Sequence, residues 1–97
     1  MAELVLGLAS SHSPQLSTPA DGWAARGERD KGNPELIGTD GITSNYEGLL
    51  ARSDVTRIAK EITPEKFQRR HEQNQNAIAS LSKSLYQANL DVLIMVG

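Results

Sequence analysis

The side chains able to do chemistry are few. The 97-residue chain has two histidines, twelve Asp or Glu residues and no cysteine. A thiolate nucleophile, a disulfide framework and a cysteine metal site are thereby excluded, so a bound metal would have to be held by His, Asp or Glu. His12 stands in Ser10-Ser11-His12-Ser13-Pro14, directly after the apolar run Leu4-Val5-Leu6-Gly7-Leu8-Ala9. A neutral imidazole delivered by the end of a strand is suited to metal ligation; the opposing reading is a histidine satisfied by the backbone of its own turn. Ser10, Ser11 and Ser13 crowd this histidine, which raises serine-hydrolase chemistry. The nucleophile elbow Gly-x-Ser-x-Gly is missing, however, and a Ser and a His adjacent in one tight turn do not readily face each other.

The elements that would position these residues follow from patterning. The run Leu4 to Ala9 has strand length, no polar face at helical spacing, and stops at Ser and Pro, which predicts a buried strand. Open α/β sheets bind ligands at the rim where strands end, and His12 would stand at such a rim. Thr18 as N-cap, Pro19 at the first helical position and Asp21 behind them predict a helix through Trp23 to about Lys31. Its one large apolar residue, Trp23, either caps a pocket or anchors the helix. Gly32-Asn33-Pro34 ends that helix, Leu36 to Thr43 reads as a hairpin turning at Asp40-Gly41, and a short helix follows from about Asn45 to Arg52. Residues 16–62 thus form a long insertion after the first strand, a pocket wall or lid on one reading and an oligomer contact on the other.

Thr63-Pro64-Glu65 opens the strongest predicted element, a helix over 63–89. Its inward stripe reads Phe67, His71, Asn74, Ile78, Leu81, Leu85, Ala88. A crossover helix returns antiparallel to the strands it joins. At about 39 Å for 26 residues it outreaches a seven-residue strand of about 23 Å. His71 and Asn74 would then approach the region of His12 while Ile78, Leu81 and Leu85 cover the sheet. Residues 91–96, within Asp91-Val92-Leu93-Ile94-Met95-Val96-Gly97, read as a second buried parallel strand. No Gly-x-Gly-x-x-Gly follows the first strand, so a dinucleotide fingerprint is absent.

Gly7-Leu8-Ala9-Ser10-Ser11-His12-Ser13-Pro14 resembles the N-terminal motif of the class III extradiol ring-cleavage dioxygenases of the protocatechuate 4,5-dioxygenase β-subunit type, in which a strand leads into a Ser-His-x-Pro turn. Asp91 to Gly97 is similar to that family's second strand. The resemblance implies an α/β fold: an N-terminal β-α-β portion of a larger, mostly parallel-sheet domain, whose remainder lies beyond these residues. It implies that His12 is the first ligand of a non-haem Fe(II) that cleaves catecholic rings with O2. The second histidine and the carboxylate are expected beyond Gly97, and the 97 residues alone are expected to be inactive. Ser11 and Ser13 would orient the ligand, and Trp23, His71 and Asn74 would neighbour the pocket. His71 does not match a ligand position of the family and is expected to pack or hydrogen-bond at the helix rim.

Composition is consistent with this reading without selecting it. A net charge of −2 with 23% charged residues names no partner class. The mixed cluster Arg69-Arg70-His71-Glu72 has no aromatic interleaving and does not argue for nucleic acid. The N-terminal run is too short to span a bilayer and lacks a basic flank, so a cytoplasmic protein is expected. A homo- or hetero-oligomer is expected, with a catechol and O2 as small-molecule partners. The competing expectation is a non-catalytic subunit or binding module on the same scaffold.

Overall fold

In the computed structural model, which describes residues 1–97, one long helix is the spine and residues 14–23 are laid against its first half. The shorter elements all precede it in the chain. In chain order they are a single 3-10 turn at Pro14–Leu16, a second at Ala20–Gly22, α1 at Trp23–Asp30, β1 at Leu36–Ile37, β2 at Thr43–Ser44, α2 at Tyr46–Ala51 and α3 at Val55–Ala59; α4 is Pro64–Gln87.

Local chemistry accounts for α4. The Thr63 hydroxyl accepts a hydrogen bond from the Lys66 amide at 3.3 Å, which satisfies one of the helix's free N–H groups. Pro64 loses nothing at a position whose amide has no intrahelical partner. Glu65 places negative charge against the positive end of the helix. The other end is set by Asn89, whose φ of 47° lies in the left-handed region where a helix cannot continue. Along α4 the half-buried positions include Phe67, His71, Asn74, Leu81, Leu85 and Ala88. Ile78, on the same stripe, is 37% exposed.

The hairpin also follows from local signals. Leu36 pairs with Ser44 and Ile37 with Thr43 in an antiparallel ladder. Gly41 turns the chain at φ 77°, a conformation that costs an L side chain and suits glycine. Asp40 locks the turn: its carboxylate accepts from the Ile42 amide at 3.0 Å and from Arg52 Nη1 at 3.0 Å. The second bond ties the hairpin to the end of α2, whose own start is capped by Asn45 accepting from the Gly48 amide at 2.8 Å.

Three features differ from the sequence-based expectation. Thr18 does not cap α1. Residues 20–22 wind into the tighter 3-10 turn and α1 begins only at Trp23, because the Thr18 hydroxyl is engaged by Arg26 Nε at 2.8 Å and its carbonyl by Trp23. Helix α3 was not anticipated; Asp54 starts it by accepting from the Arg57 amide at 3.0 Å. Lastly, the expected parallel strands over 4–9 and 91–96 are not formed. The only sheet is the two-stranded antiparallel hairpin, so the architecture is mixed helix and small antiparallel sheet. A strand exists through the hydrogen bonds of a neighbour, and these two runs have none.

The consequence for packing is large. Only Ala20 and Trp23 are buried, while Leu4, Val5, Val92, Ile94, Met95 and Val96 are exposed. The accessible surface is 8380 Å², against about 5,400 Å² for a compact protein of this mass. The radius of gyration is 18.0 Å, against about 12.5 Å for a compact chain of this length. The core is therefore one small cluster between the 3-10 turns, α1 and the first half of α4.

Candidate functional site

The site builds outward from His12. Ahead of it the Ser10 hydroxyl donates to the Ser11 carbonyl at 3.1 Å. Across it the Ser11 hydroxyl accepts from the Ser13 amide at 3.0 Å. Behind it the Ser13 hydroxyl accepts from the Gln15 amide at 3.3 Å and opens the Pro14–Leu16 turn, in which the Leu16 amide donates to the Ser13 carbonyl at 3.0 Å. Ser11 and Ser13 therefore act on the backbone that flanks His12. The His12 side chain itself is exposed.

The turn is seated on α4. Gln75 Nε2 donates to the Leu16 carbonyl at 3.0 Å. Two residues further on, the Thr18 carbonyl accepts from Trp23 Nε1 at 3.0 Å, which places the indole over α4. Its ring lies 5.5 Å from Phe67 at a 51° tilt, and 6.2 Å from His71 at 82°, edge to face. Trp23 is 7% exposed and fastens α1 to the long helix. Close approach helps: a Cβ on Gly22 would meet Thr18 Cγ2 at 2.9 Å.

His71 is packed into this aromatic corner, and its Nδ1 is buried without a hydrogen-bond partner. Such an atom costs roughly 1–3 kcal/mol, which the packing of Trp23 and Phe67 has to offset. Asn74 is half-buried one turn further along the same face. Two charges next to His71 on α4 are engaged with other groups: Arg70 pairs with Glu61, and Glu72 accepts from Gln68 at 3.0 Å.

The second half of α4 faces the N-terminal run. Leu8, Ala9 and Ser10 line a groove with Ile78, Leu81, Ser82 and Leu85. Leu85 also borders a groove that contains Leu90 and Leu93. From Leu8 through Leu16 to Trp23 the chain thus meets α4 first between Ile78 and Leu85, then at Gln75, then at Phe67 and His71. It runs against the helix direction.

His12 is chemically suited to be one metal donor: it is an exposed imidazole on a turn held by its flanking serines. It is not joined by others within these residues, since no three His, Asp or Glu side chains converge. Trp23, His71 and Asn74 belong to one face of the α1–α4 junction. Sequence reasoning overlooked Gln75 and the Thr18 carbonyl. Gln75 lies beside the stripe and bonds a backbone oxygen, which carries no residue-type signal.

No helix is long and apolar enough to cross a membrane. No protein-family model matches the chain, nor does any curated protein or solved structure.

Proposed function

We propose that these residues are the N-terminal part of an extradiol dioxygenase-like α/β domain, cytoplasmic and oligomeric, in which His12 is one ligand of a non-haem Fe(II). The observation that supports this reading is the antiparallel course of residues 8–23 along α4, which brings the end of the apolar run, Leu8 and Ala9, and then a serine-held histidine turn past one helix. A β-α-β crossover has that sense. On this reading the exposed apolar runs Leu4–Ala9 and Val92–Val96, unpaired here, become the two strands of the unit when a parallel sheet forms beside them.

His12 would be one of the residues holding the iron, which would supply the Lewis-acid and redox chemistry for opening a catecholic ring with O2. The chain's own contributions are distinct from that chemistry. His12 offers a neutral imidazole nitrogen as donor. Ser11 and Ser13 hold the backbone on either side of it. Trp23 fixes α1 against α4, so that residues 16–62 wall one side of the pocket and limit water access. The reading requires two further donors, a second histidine and a carboxylate, in addition to these residues.

The test is Fe(II) loading followed by catechol-dependent oxygen uptake in the gene product that carries this segment, compared with its His12→Ala variant. The variant is expected to lose iron and turnover together. Unchanged iron content and turnover would refute the assignment. A second reading, a non-catalytic subunit or binding module, is favoured by the exposure of Val92, Ile94, Met95 and Val96, which offers apolar surface for association. It predicts stable complex formation with no iron in either protein.

A further inference from the structure

We infer that Gln75 is a positioning residue for the His12 turn. The hydrogen bond from Gln75 Nε2 to the Leu16 carbonyl, 3.0 Å long, joins residues 59 positions apart. The next longest-range side-chain bond, Arg52 to Asp40, spans 12. Gln75 is therefore the one hydrogen-bonded link between α4 and the segment that carries His12.

From that link a continuous path leads to the histidine. The Leu16 carbonyl is held by Gln75, the Leu16 amide donates to the Ser13 carbonyl, and the Ser13 amide donates to Ser11 Oγ. His12 lies between the last two residues of the path. Pro14, at the start of the 3-10 turn, removes backbone freedom inside it. The turn's own hydrogen bonds are local and exposed, so the link from Gln75 adds to their protection and, together with Trp23's bond to the Thr18 carbonyl, fixes the turn's place on α4. A hydrogen bond to a carbonyl is directional and fixes register where non-directional apolar packing does not. The functional meaning of this placement rests on the proposed role of His12 as a metal donor.

Three variants separate the hydrogen bond from mere occupancy of the position. Gln75→Ala removes the side chain, Gln75→Glu keeps its shape without the donor, and Gln75→Arg restores a donor. The first readout is amide hydrogen exchange on the 97-residue chain by NMR. Amides from Ser13 to Thr18 are expected to exchange about fivefold faster in the Ala and Glu variants. They return toward wild-type rates in the Arg variant, and amides in the interior of α4 stay unchanged in all three. Wild-type exchange in Gln75→Glu would overturn the tether.

The second readout is Fe(II) affinity in the gene product carrying this segment. It is expected to fall roughly tenfold in Gln75→Ala and Gln75→Glu and to recover in Gln75→Arg, the scale seen when groups supporting a ligand are removed. If His12→Ala abolishes iron binding while the Gln75 variants leave it unchanged, the positioning role is overturned and the metal reading stands. If His12→Ala retains iron while the turn amides respond to Gln75, the metal reading fails and takes the functional half of the inference with it.

Discussion

Trp23 meets His71 edge to face, with ring centroids 6.2 Å apart and planes at 82°. This contact joins the insertion to the long helix at the only well-buried point of the chain. The same indole donates to the Thr18 carbonyl, so one side chain fixes both the start of α1 and its seat on α4.

Replacing that side chain should undock α1. Trp23→Ala is expected to cost about 3 kcal/mol, the lower range for removing a buried aromatic, because Trp23 is one of two buried residues. Trp23→Phe keeps most of the apolar contact and loses the bond to Thr18, for about 1 kcal/mol. Amide exchange across residues 20–30 measures both. Protection equal to wild type in Trp23→Ala would contradict the assignment of the core.

The start of α4 rests on the Thr63 hydroxyl. Thr63→Ala should cost about 1 kcal/mol and Thr63→Ser should be close to neutral. The loss is local, so exchange at Lys66 and Phe67 should rise while the middle of the helix is unaffected. Circular dichroism would register only the fraying of one turn.

Gly41 tests the hairpin in isolation from packing. Nothing lies within 4 Å of a Cβ built there, yet its φ is 77°. The whole penalty of Gly41→Ala is therefore backbone strain, about 1 kcal/mol, and Gly41→Asn should be milder. Cross-strand contacts between Leu36 and Ser44, followed by NMR, should weaken in that order.

Acid should loosen the same hairpin. The bond from the Ile42 amide, aided by the nearby Arg52 guanidinium, holds the Asp40 carboxyl below its ordinary value of 3.8. A carboxyl lowered on folding contributes stability that is fully present above its unfolded pKa and is lost as pH falls through the folded one. Titrating the Asp40 carboxyl by 13C NMR should give a midpoint under 3.8, and Arg52→Gln should move it upward. A midpoint that ignores Arg52 would remove the ion pair from the account.

Sequence alone determined what depends on neighbours a few positions away. Thr63-Pro64-Glu65 and Asn89 bound α4, the spacing of Phe67, His71, Asn74, Ile78, Leu81, Leu85 and Ala88 marks its half-buried face at every position but the exposed Ile78, and Asp40-Gly41 marks the hairpin. Caps, prolines and left-handed turns act within one turn of chain, which is why residue type reveals them. The seating of Trp23 between Thr18, Phe67 and His71, and the reach of Gln75 to Leu16, were decided only in three dimensions. Backbone carbonyls accept from any donor that arrives, so no residue type announces them. The two apolar runs belong to the same class. Their composition favours strands, but pairing requires the hydrogen-bonding edge of another segment, and their polar backbone groups and apolar side chains stay in solvent until such an edge lies alongside them.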